Sequence, residues 1–344
     1  MRRLACIAFL LVVLLIFPAC AGPAPTAGFP SDIENGLFSS TAHVLPVPPA
    51  RSAAAPPSTA PAPATTAPDI SSNTSASPPA VPQPQLRAPA ALLIDEGSGQ
   101  TIFARNADQI RPPASLTKLL TAVVALDLCG QDAVYTVGEE IDLVAADASR
   151  AGLCKGMRLT TVTLLRALLL RSGGDAAYVF AAAAGRRAAG DDHLPPREAV
   201  AAFAREMNEA ALSIGARNSH FVTPDGYHDP EHISTARDLL LIARYARSFP
   251  LIRETVRLPS VQEFTLSGER FPRWDNTNAL LRPDSGFYLA GVTGMKTGHT
   301  DEAGWCVLFT AEREGHLLMG VVMGCPDSAT RWSDAAILYQ MAEK

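Results

Sequence analysis

The segment Pro-Ala-Ser-Leu-Thr-Lys at residues 113–118 carries a serine and a lysine three positions apart, at the start of a predicted helix. On a helix, Ser115 and Lys118 share one face. A serine hydroxyl is a poor nucleophile until a base takes its proton, and a lysine whose pKa is lowered by burial or by another cation can do so. The first turn of a helix also offers free N–H groups to a developing oxyanion. The segment therefore predicts a nucleophilic serine, although two ordinary surface residues would give the same spacing.

Two short segments farther along the chain complete a set of three. Ser172-Gly173-Gly174 falls in a predicted break between helices, where a serine on an irregular turn can relay a proton. Lys296-Thr297-Gly298 falls on a predicted strand. It supplies a second cation, a hydroxyl that can bind a carboxylate, and a glycine that leaves room for a substrate backbone along the strand edge. In order and spacing the three segments agree with Ser-x-x-Lys, Ser-x-Asn and Lys-Thr-Gly, the signature set of penicillin-binding proteins and class A β-lactamases.

The sequence around these segments resembles the low-molecular-mass D-alanyl-D-alanine carboxypeptidases over roughly residues 88–344. The resemblance is carried by residues 113–118, 224–226, 232–239, 276–278, 294–300 and 302–304. It implies the serine β-lactamase and D,D-peptidase fold, a mixed α/β (α+β) domain with an antiparallel sheet of about five strands flanked by helices and the nucleophile helix at the centre.

The resemblance also implies an activity, that of a serine-type D-Ala-D-Ala carboxypeptidase. Such an enzyme removes the terminal D-alanine of peptidoglycan stem peptides and is acylated by penicillin and other β-lactams. The catalytic residues that it implies are Ser115 as nucleophile, Lys118 as base and Ser172 in the proton network. The substrate-binding residues that it implies are Lys296, Thr297, Gly298, His299 and Arg331. Thr297 and Arg331 would hold the terminal carboxylate, and the N–H groups of Ser115 and His299 would form the oxyanion hole. No cofactor and no metal are expected.

Gly174 departs from the family pattern, in which the serine triplet ends in Asn. That Asn donates to the substrate amide and steadies the base lysine, and its loss could lower the rate on the order of 10²–10³, as the loss of an oxyanion-hole donor does. Asp175 is adjacent, but we expect it to cap the next helix. Another donor substitutes, activity is reduced, or the protein binds penicillin without efficient turnover. A D,D-endopeptidase would use the same residues, whereas a class A β-lactamase needs a glutamate segment that is not found between Asp175 and Lys296.

The first 22 residues predict export. Arg2 and Arg3 precede an apolar stretch and small residues, the pattern of a signal segment. Three fates remain open: lipidation of Cys20, cleavage at Ala19-Cys20-Ala21, or an uncleaved anchor. We expect the protein at the extracytoplasmic face of a bacterial membrane or in the cell wall or periplasm. Many family members carry an anchoring helix after the catalytic domain, and this chain ends at Lys344 without one, so we expect membrane contact through the N-terminal segment alone.

Residues 23–88 are rich in Pro, Ala, Ser and Thr and predict a disordered linker before a catalytic domain at 89–344. A Pro-rich linker is a semi-rigid spacer, which either gives reach through a wall layer or has no selected role. The chain is 47% apolar and 18% charged with a formal net charge of -5, so a sizeable core can form and nothing indicates nucleic acid as a partner.

Apolar periodicity and turn residues predict strands at both ends of the domain and helices between them. Strands are expected at 91–95, 100–104, 291–299, 305–311 and 317–324. Helices are expected at 115–128, 160–171, 175–184, 197–212 and 331–342. A further helix is expected to be capped by Ser234-Thr235 and to reach Arg247. Strands from both ends of the domain predict one shared sheet.

Four cysteines follow the signal region: Cys129, Cys154, Cys306 and Cys325. In an exported protein these could pair, and Cys306 and Cys325 fall on two predicted adjacent strands. A cross-strand bridge and buried free thiols are both open. His228 and His232 have the spacing of metal ligands, but Pro230 lies between them, so they cannot share one helix face.

Overall fold

The computed structural model describes residues 85–342, which fold around a five-stranded antiparallel sheet. Its strands are β1 (Ala90–Asp95), β2 (Thr101–Arg105), β7 (Val292–Thr300), β8 (Gly304–Arg313) and β9 (His316–Cys325). Two small hairpins pair β3 (Val134–Thr136) with β4 (Arg158–Thr160) and β5 (Ser260–Val261) with β6 (Trp274–Asp275). The large sheet has the order β2-β1-β9-β8-β7. The predicted sheet shared by both ends of the domain is therefore confirmed.

Seven α-helices lie among these strands in the described part of the chain. They are α1 (Lys118–Cys129), α2 (Thr161–Leu169), α3 (Gly174–Ala189), α4 (Pro196–Ile214), α5 (Ala236–Ser248), α6 (Pro250–Val256) and α7 (Ser328–Met341). Short 3₁₀ turns span Ala114–Thr117, Glu139–Leu143 and Ala279–Leu281.

Strand β1 illustrates how the sheet packs on both faces. Neighbouring residues of a strand point to opposite faces. Leu92 joins the apolar cluster that includes Leu119 of α1, whereas Leu93 joins the cluster that includes Trp332 of α7. Helix α7 therefore covers one face of the sheet, and the larger helical cluster covers the other.

Helix α1 runs through the larger cluster, with every residue from Lys118 to Leu126 buried. A helix that is apolar nearly all round is stable only when other elements surround it. The prediction that the helix would begin at Ser115 is wrong by one turn. Ser115 lies in the 3₁₀ turn, because Ala114 has a φ of +48° and the N–H of Leu116 bonds to the carbonyl of Pro113 at 3.3 Å. The regular helix starts at Lys118.

Side-chain caps set the start of several helices, among them α5 and α7. Thr235 caps α5, as predicted, because its side chain accepts from the N–H of Asp238. Asp327 caps α7 by accepting from the N–H of Thr330. The last helix therefore begins at Ser328, three residues before the predicted start.

Three cysteines, Cys129, Cys306 and Cys325, carry free thiols. Burial raises the pKa of Cys306 to about 11, so this thiol stays protonated at neutral pH. Of the two alternatives for Cys306 and Cys325, the structure has the buried thiols.

The N-terminal predictions lie almost entirely outside the described residues. These are the signal segment at 1–22 and the linker at 23–88, of which only the last four positions are described. Within those four, Leu86 and Ala88 are buried, and the N–H groups of Arg87 and Ala88 donate to the Asp334 carboxylate at 2.9 and 2.6 Å. The last residues that we assigned to the linker therefore pack against the folded domain. Between 85 and 342, none of the helices has the length and hydropathy of a membrane span.

Candidate active site

Ser115 and Lys118 form a hydrogen-bonded pair at the junction of the 3₁₀ turn and α1. Lys118 Nζ donates to Ser115 Oγ at 2.8 Å, and both groups also donate to the backbone carbonyl of Asp225, at 2.6 Å from the lysine and 3.3 Å from the serine. The predicted proximity of serine and lysine is therefore present although the local backbone is not a regular helix. This is the geometry of a nucleophile beside its base.

The residue Lys118 is 2% exposed, and burial lowers its pKa to about 8. The carboxylates of Asp225 and Asp175 act in the opposite direction. A lysine with this pKa is partly neutral near physiological pH, and its free lone pair can then accept the proton of Ser115.

Ser172 and Lys296 form a second pair, built from residues 124 positions apart. Ser172 sits in the break between α2 and α3 with a φ of +58° and accepts from Lys296 Nζ at 2.9 Å. Burial lowers the pKa of Lys296 well below its usual value, and the nearby cations Lys118 and Arg331 lower it further. The sequence predicted these two residues separately, and the fold brings them together.

Strand β7 is one of the two edge strands of the sheet, and its backbone lies against the nucleophile turn. A Cβ atom added to Gly298 would lie 3.1 Å from the Ser115 nitrogen and 3.1 Å from the Ala114 Cβ. In the structure, the glycine lets the strand approach the turn closely, and the room for a substrate that we expect at Gly298 stays a prediction.

Thr297 and Arg331 both lie at this strand. Thr297 Oγ1 is 2.7 Å from the hydroxyl of Thr277, which is exposed. Arg331 is 5% exposed, and its guanidinium stacks on Trp332 at 4.0 Å and Trp305 at 4.9 Å. Burial lowers the pKa of Arg331 to about 10, so the group remains cationic at neutral pH.

Arg331 reaches β7 through the carbonyl of Gly298, to which its Nη1 donates at 3.5 Å. The ring of His299 is exposed and stacks on Trp305 at 3.9 Å. All eight predicted site residues therefore lie at the nucleophile turn or along β7, in the break before α3, or at the start of α7.

Sequence reasoning missed the loop that closes the site from the side of Asp225. His232 Nδ1 accepts from the N–H groups of Val222 and Thr223 at 3.0 and 3.2 Å, so the proton is on Nε2, which lies 2.8 Å from Thr117 Oγ1. Burial lowers the pKa of His232 to about 3, which keeps the ring neutral. This histidine ties the loop to the nucleophile turn. The only sequence signal for this loop was the family resemblance of residues 224–226 and 232–239.

Gly226 is the point where this loop touches the turn. Its φ is +78°, and a Cβ atom there would lie 2.0 Å from the carbonyl oxygen of Ala114. We expect Gly226→Ala to push the loop off the turn and to slow penicillin acylation at least about tenfold, because misplacing a catalytic group by about 1 Å costs more than that.

Gly190→Ala is the matched control for Gly226→Ala. Gly190 also has a positive φ, +68°, but nothing lies within 4 Å of its Cβ position. This control should lose only about 1–2 kcal/mol of stability. Labelling rates and thermal melts of the two variants separate close approach from backbone strain, and equal labelling rates would contradict the prediction.

Comparison with known protein families points the same way as the geometry. A family model described as D-alanyl-D-alanine carboxypeptidase matches residues 74–327. The D-alanyl-D-alanine carboxypeptidase of Streptomyces sp. strain K15 is 33% identical over 74% of this chain and 87% of its own length. DacA of Escherichia coli K12 is 34% identical over 70% of this chain, which spans only 57% of that relative. The D-alanyl-D-alanine endopeptidase of Escherichia coli K12 is 28% identical over 76% of this chain and 79% of its own length.

Solved structures give the same fold. The Streptomyces K15 DD-transpeptidase superposes with a TM-score of 0.69 at 32% identity, over 76% of this chain and 99% of that one. Penicillin-binding protein D2 of Listeria monocytogenes, in an ampicillin-bound form, superposes with a TM-score of 0.62 at 29% identity, over 76% of this chain and 100% of that one.

Proposed function

Because the chain belongs to the D-alanyl-D-alanine carboxypeptidase family of penicillin-binding serine hydrolases, we propose that it removes the terminal D-alanine from peptidoglycan stem peptides. The observation that carries the proposal is the buried Lys118 ammonium, 2.8 Å from Ser115 Oγ. A lysine in that position can take the serine proton without the histidine that many serine hydrolases use.

Acylation would run from Ser115 to the penultimate D-alanine of the stem peptide. Ser115 Oγ bonds to the D-alanine carbonyl carbon while its proton passes to Lys118. The backbone N–H groups of Ser115 and His299 receive the oxyanion. The Lys296–Ser172 pair, joined at 2.9 Å, delivers a proton to the nitrogen of the leaving D-alanine, and the C–N bond breaks.

Deacylation would use the same groups in reverse. Lys118 first passes the proton that it took from Ser115 to the Lys296–Ser172 pair, which gave one to the leaving D-alanine, so Lys118 is neutral again. A water then attacks the ester carbon and gives a proton to Lys118. The bond to Ser115 Oγ breaks, the serine takes this proton back from Lys118, and the shortened peptide leaves as a carboxylic acid that loses its proton to solvent. Penicillin would acylate Ser115 in the same way, but its amine stays tethered to the acyl group after the ring bond breaks and obstructs the water.

The terminal carboxylate of the substrate would bind at Thr297. Its hydroxyl and that of Thr277 are 2.7 Å apart, and Arg331 supplies a buried positive charge one residue along the strand. The substrate backbone would lie along the free edge of β7, as peptides do on other sheet edges.

A D,D-endopeptidase is the alternative, because one relative with that name is 28% identical to this chain. The residues would act in the same way, and only the leaving amine would differ. The Streptomyces K15 protein of known structure is called a transpeptidase. A transpeptidase differs from a carboxypeptidase in the acceptor of the acyl group, which is an amine in place of water.

Export is part of the proposal, because peptidoglycan lies outside the cytoplasmic membrane. Arg2 and Arg3 followed by an apolar stretch support a signal segment, and Cys20 supports a lipid anchor. The protein would then act at the outer face of the membrane or in the cell wall.

The test uses the purified full-length chain with three substrates: a fluorescent penicillin, a D-Ala-D-Ala pentapeptide and a cross-linked peptide dimer. We expect covalent labelling and release of D-alanine from the pentapeptide. Cleavage of the dimer alone would favour the endopeptidase, and labelling without cleavage of either substrate would favour a penicillin-binding relic. Absence of labelling would overturn the proposal.

A further inference from the structure

The space around Gly174, where the family has an asparagine, is already filled. A Cβ atom added to Gly174 would lie 3.0 Å from Asp225 Oδ2, 3.1 Å from the carbonyl oxygen of Ser149 and 3.1 Å from Val144 Cγ1. An asparagine side chain would therefore begin against the carboxylate of Asp225. The carboxylate of Asp225 therefore occupies the space into which a side chain at position 174 would extend.

Asp225 is held firmly in this position. It is 3% exposed, and its Oδ1 accepts from the N–H of Tyr227 at 3.1 Å. The preceding residue is also fixed, because Thr121 Oγ1 of α1 donates to the carbonyl of Pro224 at 2.5 Å. The following residue, Gly226, packs on the carbonyl of Ala114. The loop thus carries Asp225 into the site as a rigid part of it.

The backbone of Asp225 contacts both groups of the acylation step. Its carbonyl oxygen accepts from Lys118 Nζ at 2.6 Å and from Ser115 Oγ at 3.3 Å. One residue therefore orients the nucleophile and its base through the main chain, while its side chain fills the place of the missing asparagine.

We propose that Asp225 is a positioning residue for Lys118 that replaces the side chain absent at Gly174. The proposal rests on the proposed function, since it assigns a task within the same site. Because the main-chain carbonyl survives substitution, the side chain can be tested by itself.

The charges around Lys118 give the expected direction of the effect. Asp225 and Asp175 are the carboxylates that favour its protonated form, and the ammonium of Lys296 faces it from β7. His232, in the same loop as Asp225, is neutral because burial lowers the pKa of its ring to about 3. Asp175 is committed elsewhere, because its carboxylate accepts from the N–H groups of Ala151, Gly152 and Leu153. Neutralising Asp225 therefore lowers the pKa of Lys118.

The first test is the pH dependence of penicillin acylation in Asp225→Asn, which keeps the shape of the side chain and removes its charge. We expect the acidic limb of the profile to move to lower pH by at least about half a unit. A Lys118 with a lower pKa stays neutral, and so able to accept the serine proton, down to a lower pH. Asp229→Asn is the matched control, an acid of the same loop that accepts from the N–H of Glu231 instead. A profile of Asp225→Asn that superposes on those of Asp229→Asn and the wild type would overturn the proposal.

The second test exchanges the two occupants of the site. We expect Gly174→Asn to slow acylation at least about tenfold, because its side chain must displace the carboxylate of Asp225. Adding Asp225→Ala to Gly174→Asn should recover most of that loss, which is the coupling expected of residues in contact. Two outcomes would contradict the proposal: a Gly174→Asn variant that is acylated as fast as the wild type, or a double variant in which the two losses of acylation rate simply add.

Gly174→Asn retains Asp225, so it tests the proposal even if Asp225→Asn does not fold. Circular dichroism and thermal melts establish folding for each variant. Failure of the proposed function has a different signature, because the wild type itself would then either not be labelled or be labelled without releasing D-alanine.

Discussion

Ser115→Ala is expected to abolish covalent labelling by a fluorescent penicillin and to lower D-alanine release at least about 10³-fold. The reason is direct: Ser115 Oγ is the hydroxyl that Lys118 Nζ contacts at 2.8 Å, and its removal leaves no atom to form the acyl bond. The measurement is gel fluorescence after incubation with the penicillin, followed by mass spectrometry of the intact chain. Residual hydrolysis would come from the oxyanion site and binding alone.

Ser333→Ala is the matched control for Ser115→Ala. Ser333 is an exposed serine of α7 whose hydroxyl donates to the carbonyl of Ala329 at 3.1 Å. The control should be labelled like the wild type. Persistent labelling of Ser115→Ala at a single new position would show that another residue is the nucleophile, and the mechanism proposed above would be withdrawn.

Lys118→Met is expected to lower the acylation rate without lowering the stability of the fold. Acylation should fall about 10²–10⁴-fold, the usual contribution of a positioned base. In the wild type, acylation should rise with pH through about 8 as Lys118 becomes neutral, and the methionine variant should lack this rise. Stopped-flow fluorescence of penicillin binding between pH 6 and 10 measures both effects.

The thermal midpoint of Lys118→Met should be at least as high as that of the wild type at pH 7. Burial lowers the pKa of Lys118 from 10.5 to about 8, so protonation at pH 7 opposes folding by about 3 kcal/mol. The two hydrogen bonds of the ammonium, to Ser115 and Asp225, return about 1 kcal/mol each. The folded-state pKa lies below the unfolded value, so the stability gained by the variant is full below pH 8 and vanishes as the pH passes 10.5.

Lys155→Met is the control for both effects. Lys155 is an exposed lysine paired with Glu139 and Asp142 at the surface. It should change neither the acylation rate nor its pH dependence. A Lys118→Met protein that melts well below the wild type at pH 7 but not at pH 10.5 would contradict the assigned cost of the buried charge.

The parts of the site that sequence predicted are those carried by short local patterns. Ser115 and Lys118 are neighbours on any helical turn, so their contact follows from spacing alone. The pairing of Ser172 with Lys296 follows only from the family resemblance, because nothing in the local sequence joins residues so far apart. Likewise the sheet was predicted from strands at both ends of the domain, but its order needed the structure.

The parts that sequence missed lie on irregular backbone. Asp225 and His232 act from a loop that has no periodic pattern, and their roles depend on a carbonyl direction and a tautomer that only the three-dimensional structure reveals. The two-residue strands β5 and β6 are too short for an alternating pattern to be seen. Predictions for the signal segment and the linker remain predictions, since they fall almost wholly before residue 85.

The pairing of β1 with β9 has a consequence for how the chain folds. Leu92 stands opposite Val321, so the middle of the sheet joins residues from the two ends of the domain. During synthesis the first strand must wait, without its partner, until nearly the whole domain has been made. Folds dominated by such distant contacts assemble slowly, because a long loop must close before the contacts compensate for the lost entropy. The nascent chain therefore lacks its complete sheet for most of its synthesis, and a domain without its sheet is easier to thread through a narrow channel than the finished one.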